Sequence, residues 1–247
     1  MGSVTITFLG TGDAFGSGGR SHSGFVIRGA GHTLLIDPGP CVLPQLQRAR
    51  ISVNDIDAAL ISHLHGDHMA GLPFLFLDYQ YRSRRRRPLV VVGPRGSASR
   101  LDRLAALTYE EVARARRRFR VRYCEIAPGD TMRVAGAAVT ALRMRHKKRE
   151  ICLGYRVRIA GKVIAFTGDT GWSEELVPLA RGADVLLTEC TDYSSQASIH
   201  LNYRELRRHA DELQARRVVL THVGEELLRY RRRVRWPIAR DGQTIRV

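Results

Sequence analysis

One short loop, His63-Leu64-His65-Gly66-Asp67-His68, carries three histidines and an aspartate, all able to bind metal. The run before it, Asp57-Ala58-Ala59-Leu60-Ile61-Ser62, is apolar and short, as a buried strand should be. Met69-Ala70-Gly71-Leu72 can open a helix after it. The cluster therefore sits where a strand ends. Side chains alternate along an extended segment, so His63 and His65 project to one side. Asp67 and His68 fall at the turn into the helix, where the backbone swings them toward a second position. Two imidazoles on one side and a carboxylate with an imidazole on the other suit two adjacent zinc-like ions. A single histidine in a loop would carry no such weight.

The elements that position these groups alternate between strand-like and helix-like segments. Val4 to Leu9 alternates as a strand and enters the loop Gly10-Thr11-Gly12-Asp13-Ala14-Phe15-Gly16-Ser17-Gly18-Gly19. That loop lacks the Gly-Lys-Ser/Thr ending of a nucleotide P-loop and reads as a turn. Gly24 to Arg28 and Thr33 to Ile36 form a hairpin pair; Leu89 to Val92, Val121 to Ile126, Ala138 to Met144, Tyr155 to Ile159, Val163 to Phe166, Val185 to Leu187 and Val218 to Leu220 are further strands. Helices are expected at Leu101 to Arg117, Glu174 to Ala180 and Tyr203 to Ala215, with Ser173 and Asn202 as N-caps of the last two. Polar residues follow directly on several strands: Asp37, His63, His146, Asp169, Glu189 and His222. Layered α/β proteins place their sites at such strand ends, and neighbouring strands would gather these residues into one cleft.

At 247 residues the chain can bury a substantial core and is read as a single domain over 1–247. Residues 80–120 form a candidate helical insertion suited to a lid, a homodimer contact or a plain surface. The amino terminus lacks a secretory pattern and no run reaches membrane-spanning length, so a soluble cytoplasmic protein without a membrane role is expected. Cys41, Cys124, Cys152 and Cys190 stand far apart, which leaves histidine and carboxylate as the metal donors. Net charge is +16, and among 40 basic residues only Lys147, Lys148 and Lys162 are lysine. Arginine grips phosphate bidentately, so Arg84 to Arg87, Arg114 with Arg116 to Arg118, and Arg231 to Arg233 can hold nucleic acid, or spread over solvated faces. Charge nominates an anionic partner without naming it.

Taken together, Asp37 in Leu-Ile-Asp-Pro-Gly, the His63-x-His65-x-Asp67-His68 motif, distal His146, Asp169 in Phe-Thr-Gly-Asp-Thr and His222 in Leu-Thr-His resemble the metallo-β-lactamase fold hydrolases over essentially the whole chain. The resemblance implies an α/β fold, an αββα sandwich of two mixed sheets flanked by helices, with two metal ions at one rim. It implies His63, His65 and His146 on one ion, Asp67, His68 and His222 on the other, Asp169 bridging them, and Asp37 behind the ligands. Phe8-Leu9-Gly10-Thr11-Gly12-Asp13-Ala14 and Glu189-Cys190-Thr191 followed by His200 are similar to the ribonuclease Z and phosphodiesterase branch, where a glutamate and a later histidine pair beside the metals. Two departures stand out. His200 continues as Leu201-Asn202-Tyr203 rather than Ser-Thr, and only Lys147 to Gly168 lie between His146 and Asp169, which leaves no room for the arm that grips transfer RNA in the bacterial enzyme. Phosphodiester hydrolysis is implied; transfer RNA maturation is not.

The implied cofactors are two divalent ions, zinc first, with manganese and iron as alternatives. They would hold a bridging hydroxide at neutral pH for attack on phosphorus, and Asp169 would fix their spacing. His200 would give the leaving alkoxide its proton, oriented and kept charged by Glu189, and Asp67 joins these two among the catalytic residues. Arg143, Arg145, Lys147, Lys148 and Arg149 would draw in the anionic substrate, RNA or a small nucleotide such as a cyclic one. The same hydroxide could attack a carboxylic ester, a lactone or a sulfate ester. A third alternative is an RNA-binding protein with a structural metal site. His22, His32 and His209 have no place in the pattern.

Overall fold

Alternation along the strands assigns each face to a core. In β2 (Gly24–Gly29), Phe25 and Ile27 join one apolar cluster and Val26 another; in β3 (His32–Ile36), Leu34 and Ile36 part from Leu35 in the same way. A sheet with two apolar faces must be covered on both, which gives a layered sandwich. The computed structural model describes residues 3–111, 115–195 and 198–247.

The first sheet contains β1 (Thr5–Gly10), β2, β3, β4 (Ala58–Leu60), β5 (Leu89–Gly93) and β6 (Val121–Glu125). The second contains β7 (Thr131–Val134), β8 (Ala137–Met144), β9 (Cys152–Ile159), β10 (Lys162–Phe166), β11 (Val185–Glu189) and β12 (Val218–Thr221). Strand β13 (Thr244–Arg246) returns to the first sheet, which runs β13-β1-β2-β3-β4-β5-β6, against β12-β11-β10-β9-β8-β7 in the second. Both sheets are mixed: β3 to β6 pair in parallel and so do β10 to β12, while the remaining neighbours are antiparallel.

The central core lies between the sheets, where Phe25 meets Phe166 edge to face at 4.9 Å. The outer face of the first sheet packs on α1 (Val42–Arg48), α3 (Leu72–Leu77) and α4 (Ser97–Thr108), preceded by the short α2 (Gly66–Met69). The outer face of the second packs on α5 (Leu176–Ala180), α6 (Tyr203–Arg208) and α7 (Glu225–Arg229). The expected αββα sandwich is present. No helix among the described residues is long and apolar enough to cross a membrane.

Several expected boundaries move. The helix expected to reach Arg117 is interrupted: α4 ends at Thr108 where Tyr109 leaves helical geometry to pack on Phe74, residues 110–111 are helical again, and 112–114 lie outside the described residues. Residues 80–120 contain β5 and α4, and β5 pairs on both edges within the first sheet. The helix from Tyr203 ends at Arg208. Asn202 caps it as expected, accepting from Glu205 N at 2.9 Å. Ser173 does not cap α5; the helix begins after Glu175, and Ser173 Oγ is buried without a hydrogen-bond partner.

The arginine runs are partly consumed by the fold. Arg85 is only 2% exposed. Its guanidinium donates to the carbonyls of Ile56 and Pro88 at 2.8 Å and of Arg87 at 2.9 Å, and lies over the Tyr79 ring at 4.7 Å. Arg87 pairs with Asp57 at 3.1 Å, Arg117 packs on Phe76, and Arg233 packs on Tyr230. Arg114 lies outside the described residues. Arg85→Ala strands several buried carbonyls and is expected to cost roughly 2–4 kcal/mol in urea unfolding.

Candidate metal centre

The strand ends bring all seven expected ligands to one rim. His63 and His65 lie on the loop after β4, Asp67 and His68 in the only turn of α2, His146 just past β8, Asp169 past β10 and His222 past β12. That loop is pinned from the opposite sheet: Leu153 N donates to Ser62 O at 2.9 Å, and the buried Tyr155 hydroxyl donates to Ile61 O at 2.6 Å. Asp169 is aimed by Gly168, whose φ is +59° and whose missing Cβ would stand 2.8 Å from Ser62 Cβ and Leu153 O, so no larger residue fits. Asp37 and His222 hold φ of 44° and 51°, a left-handed backbone that non-glycine residues rarely adopt.

Three donor groups form among the described residues, and Asp169 belongs to two of them; the third is Glu189, His200 and His222. Of the two that share Asp169, the first is His63, His65, His146 and Asp169 and the second is Asp67, His68, Asp169 and His222, with the ligand atoms of each within 4.8 Å of one another. In the first, His65 Nδ1 stands 2.9 Å from His63 Nε2 and 3.3 Å from His146 Nε2, and Asp169 Oδ2 is 3.7 Å from His63 Nε2. In the second, His68 Nε2 lies 3.2 Å from Asp67 Oδ2 and 3.2 Å from Asp169 Oδ1, and His222 Nε2 is 3.4 Å from Asp67 Oδ2 and from Asp169 Oδ2. Four tetrahedral ligands at about 2.0–2.1 Å from an ion stand roughly 3.3 Å from each other. The spacing of these donors matches.

Burial and neighbouring charges shift the two groups differently. Burial lowers the pKa of His63, His65 and His146 below the ordinary imidazole value, which disfavours charge on all three. His146 Nδ1 donates to Ile199 O at 2.9 Å, which leaves Nε2 as a lone pair facing His65. A cation placed among these nitrogens would be held by their lone pairs. In the second group, burial opposes charge on His68, yet Asp169 and Asp37 raise its pKa well above the usual value. Burial would likewise raise Asp169, but His222 and His68 hold its carboxyl well below the carboxylate range. His68 Nε2 and Asp169 Oδ1 are buried without a hydrogen-bond partner. The histidine and aspartate set therefore suits divalent ions, whose charge would satisfy both atoms.

Asp37 lies behind this cluster, fully buried. It accepts from Ser62 N at 2.7 Å, from Ser62 Oγ at 2.6 Å and from His68 Nδ1 at 2.8 Å. It thereby turns His68 Nε2 toward the other donors of its group. Asp37→Asn is expected to weaken metal affinity about 10–100-fold, read by competition with a chromophoric chelator.

Beside the second group, Glu189 ends β11 and is 1% exposed. Its Oε1 accepts from His200 Nδ1 at 2.9 Å and from Thr170 N at 2.6 Å. Burial lowers the His200 pKa, but the hydrogen bond and charge of Glu189 outweigh it and push it up to about 9. The His200 ring stacks on His222 with centroids 5.7 Å apart. A cavity of about 370 Å3, lined by Arg143, Arg145, His146, Lys147, Lys148 and Ile199, opens next to the ligands.

Residues 32–223 match the family described as the β-lactamase superfamily domain. The chain belongs to that superfamily. Among its relatives, a ribonuclease Z of Methanosarcina acetivorans is 26% identical over 98% of this chain and 93% of that protein. The crystal structure of human tRNase Z, short form, superposes with a TM-score of 0.79 at 27% identity, covering 98% of each chain. The metallo-β-lactamase fold protein YhfI from Bacillus subtilis superposes with a TM-score of 0.82 over 100% of both chains at 21% identity, a likeness of fold.

Two residues that touch the cluster, Ser62 and Thr191, have no place in the sequence-based expectation. Ser62 Oγ stands 3.0 Å from His63 Nδ1 as well as touching Asp37. Thr191 Oγ1 donates to Glu189 Oε2 at 3.1 Å and lies 3.3 Å from His222 Nδ1, joining the glutamate to a ligand. Ser62 gave one signal, a hydroxyl closing an apolar run. His22, His32 and His209 lie outside the cluster, beside Cys41, Asp57 and Glu212 respectively. The glycine-rich loop is a turn, closed by Asp13, which accepts from Phe15 N, Ser17 N and Ser17 Oγ.

Proposed function

We propose that this protein is a phosphodiesterase using two divalent ions, zinc in the first instance, on RNA or a small nucleotide. The observation that carries the reading is His200 locked to buried Glu189 at 2.9 Å, beside a double donor set that shares Asp169. The bound ions would activate water and neutralise charge on the phosphoryl oxygens. His63, His65 and His146 would hold one ion, Asp67, His68 and His222 the other, and Asp169 both.

The remaining chemistry belongs to the protein. Glu189 accepts the hydrogen bond of His200 Nδ1–H, which orients the charged ring and leaves Nε2–H free to protonate a departing alkoxide. An alkoxide is a poor leaving group and needs that proton; this favours a phosphodiester over an activated ester. Arg143, Arg145, Lys147 and Lys148 line the cavity beside His146 and supply positive charge where an anion enters. The sequence likeness to ribonuclease Z supports the same class. Cys41, Cys124, Cys152 and Cys190 are free thiols, which suits the reducing cytoplasm.

Turnover of bis(p-nitrophenyl) phosphate against a simple lactone, on protein whose metal content has been measured, tests the proposal. Preference for the phosphodiester with two bound ions per chain supports it; a lactone preference overturns it.

A further inference from the structure

Next to the metal loop lies a second cavity, of about 390 Å3, walled by Leu64, Arg95, Ser99, Arg100, Arg103 and the turn Arg149-Glu150-Ile151. Leu64 stands between the expected ligands His63 and His65, so this cavity and the metal centre share one wall. Four guanidinium groups face it against a single carboxylate, Glu150, which lies 3.6 Å from Arg100 and 3.5 Å from Lys147. The start of α4 is already taken, since Gly96 N donates to Glu125 Oε1 at 2.7 Å. The arginines therefore carry the site. Among the described residues the guanidinium groups of Arg95, Arg103 and Arg149 make no hydrogen bond and no ion pair, unlike Arg85, Arg87 and Arg156, which the fold consumes. Like charges held at one concavity without partners repel, and a bound anion relieves that repulsion.

We propose that this cavity binds the backbone phosphates of a single-stranded polynucleotide whose neighbouring phosphodiester lies at the metal centre. The inference rests on the phosphodiesterase reading and narrows it from nucleotides in general to an extended strand. A mononucleotide has one phosphate group and cannot fill both places. The cavity beside His146, lined by Arg143, Arg145, Lys147 and Lys148, adjoins this one at the turn 147–151, where Lys147 and Arg100 share Glu150, so basic charge extends along the metal centre from one cavity to the next. Each cavity has the volume of a small-ligand pocket rather than of a groove for a duplex.

The test compares the wild-type protein with the double variant Arg95→Ala, Arg103→Ala, both at exposed positions. One arm measures affinity for a phosphorothioate single strand of about ten nucleotides across salt concentrations. The other measures turnover of bis(p-nitrophenyl) phosphate. The proposal expects affinity to fall about tenfold and the slope of log K against log salt to shrink by about 1.4, two contacts at roughly 0.7 each, with small-substrate turnover unchanged. Unchanged affinity and slope would overturn it. Should bis(p-nitrophenyl) phosphate not be turned over by wild type, the phosphodiesterase reading falls, while the binding arm still decides whether the arginines hold a strand.

Discussion

Asp169→Ala is expected to lose hydrolysis by roughly a thousandfold or more, about 4 kcal/mol of charge stabilisation. The reason is its double membership: Asp169 Oδ1 reaches His68 and Oδ2 reaches His63 and His222, so one truncation strips both donor groups. Metal analysis of the purified variant should show less than the wild-type content, with the deficit spread over both ions. Asp169→Asn keeps the shape and removes the charge; it should retain more metal than the alanine variant and still turn over slowly. Full metal content with full activity in Asp169→Ala would remove the basis for a shared ligand.

His200→Ala is expected to lower kcat by about 10²–10⁴ on a dinucleotide, whose alkoxide must be protonated as it leaves. On bis(p-nitrophenyl) phosphate the loss should be small, because p-nitrophenolate departs unprotonated. That difference between substrates distinguishes proton donation from a structural role. A His200 that merely packs on His222 would, when removed, depress both substrates equally. Glu189→Gln should reproduce the pattern in weaker form, since its carboxylate orients His200 Nδ1 without touching the leaving group.

The site was more legible in the sequence than the fold's edges were. Asp37, His63, Asp169, Glu189 and His222 each end or follow a run of buried apolar residues, and that contrast survives in one dimension. The edges lack it. Strand β7 exposes Thr131 and Arg133 and buries only Val134; β13 buries only Ile245. Such strands exist because a neighbour offers hydrogen bonds, which no local pattern records. The helices α1 and α3 contain Pro44 and Pro73 near their starts, where proline is tolerated but reads as a break. The arginines were misleading in the opposite sense. The conspicuous run at Arg84 to Arg87 is half consumed internally, while Arg95, just before α4, and Arg100 and Arg103 on it converge on one cavity. Convergence depends on helical spacing and on the distant turn at Arg149, and neither is visible as a run.

His63, His65, Asp67 and His68 follow a strand of the first sheet, whereas His146, Asp169 and His222 follow strands of the second. Each of the two donor groups that share Asp169 draws on both layers. Cations seated there would act as rivets through the sandwich, so catalytic competence and mechanical integrity cannot be tuned apart. Any change that lets the layers slide also unseats the ions, and a cell short of metal would hold a looser molecule as well as an idle one.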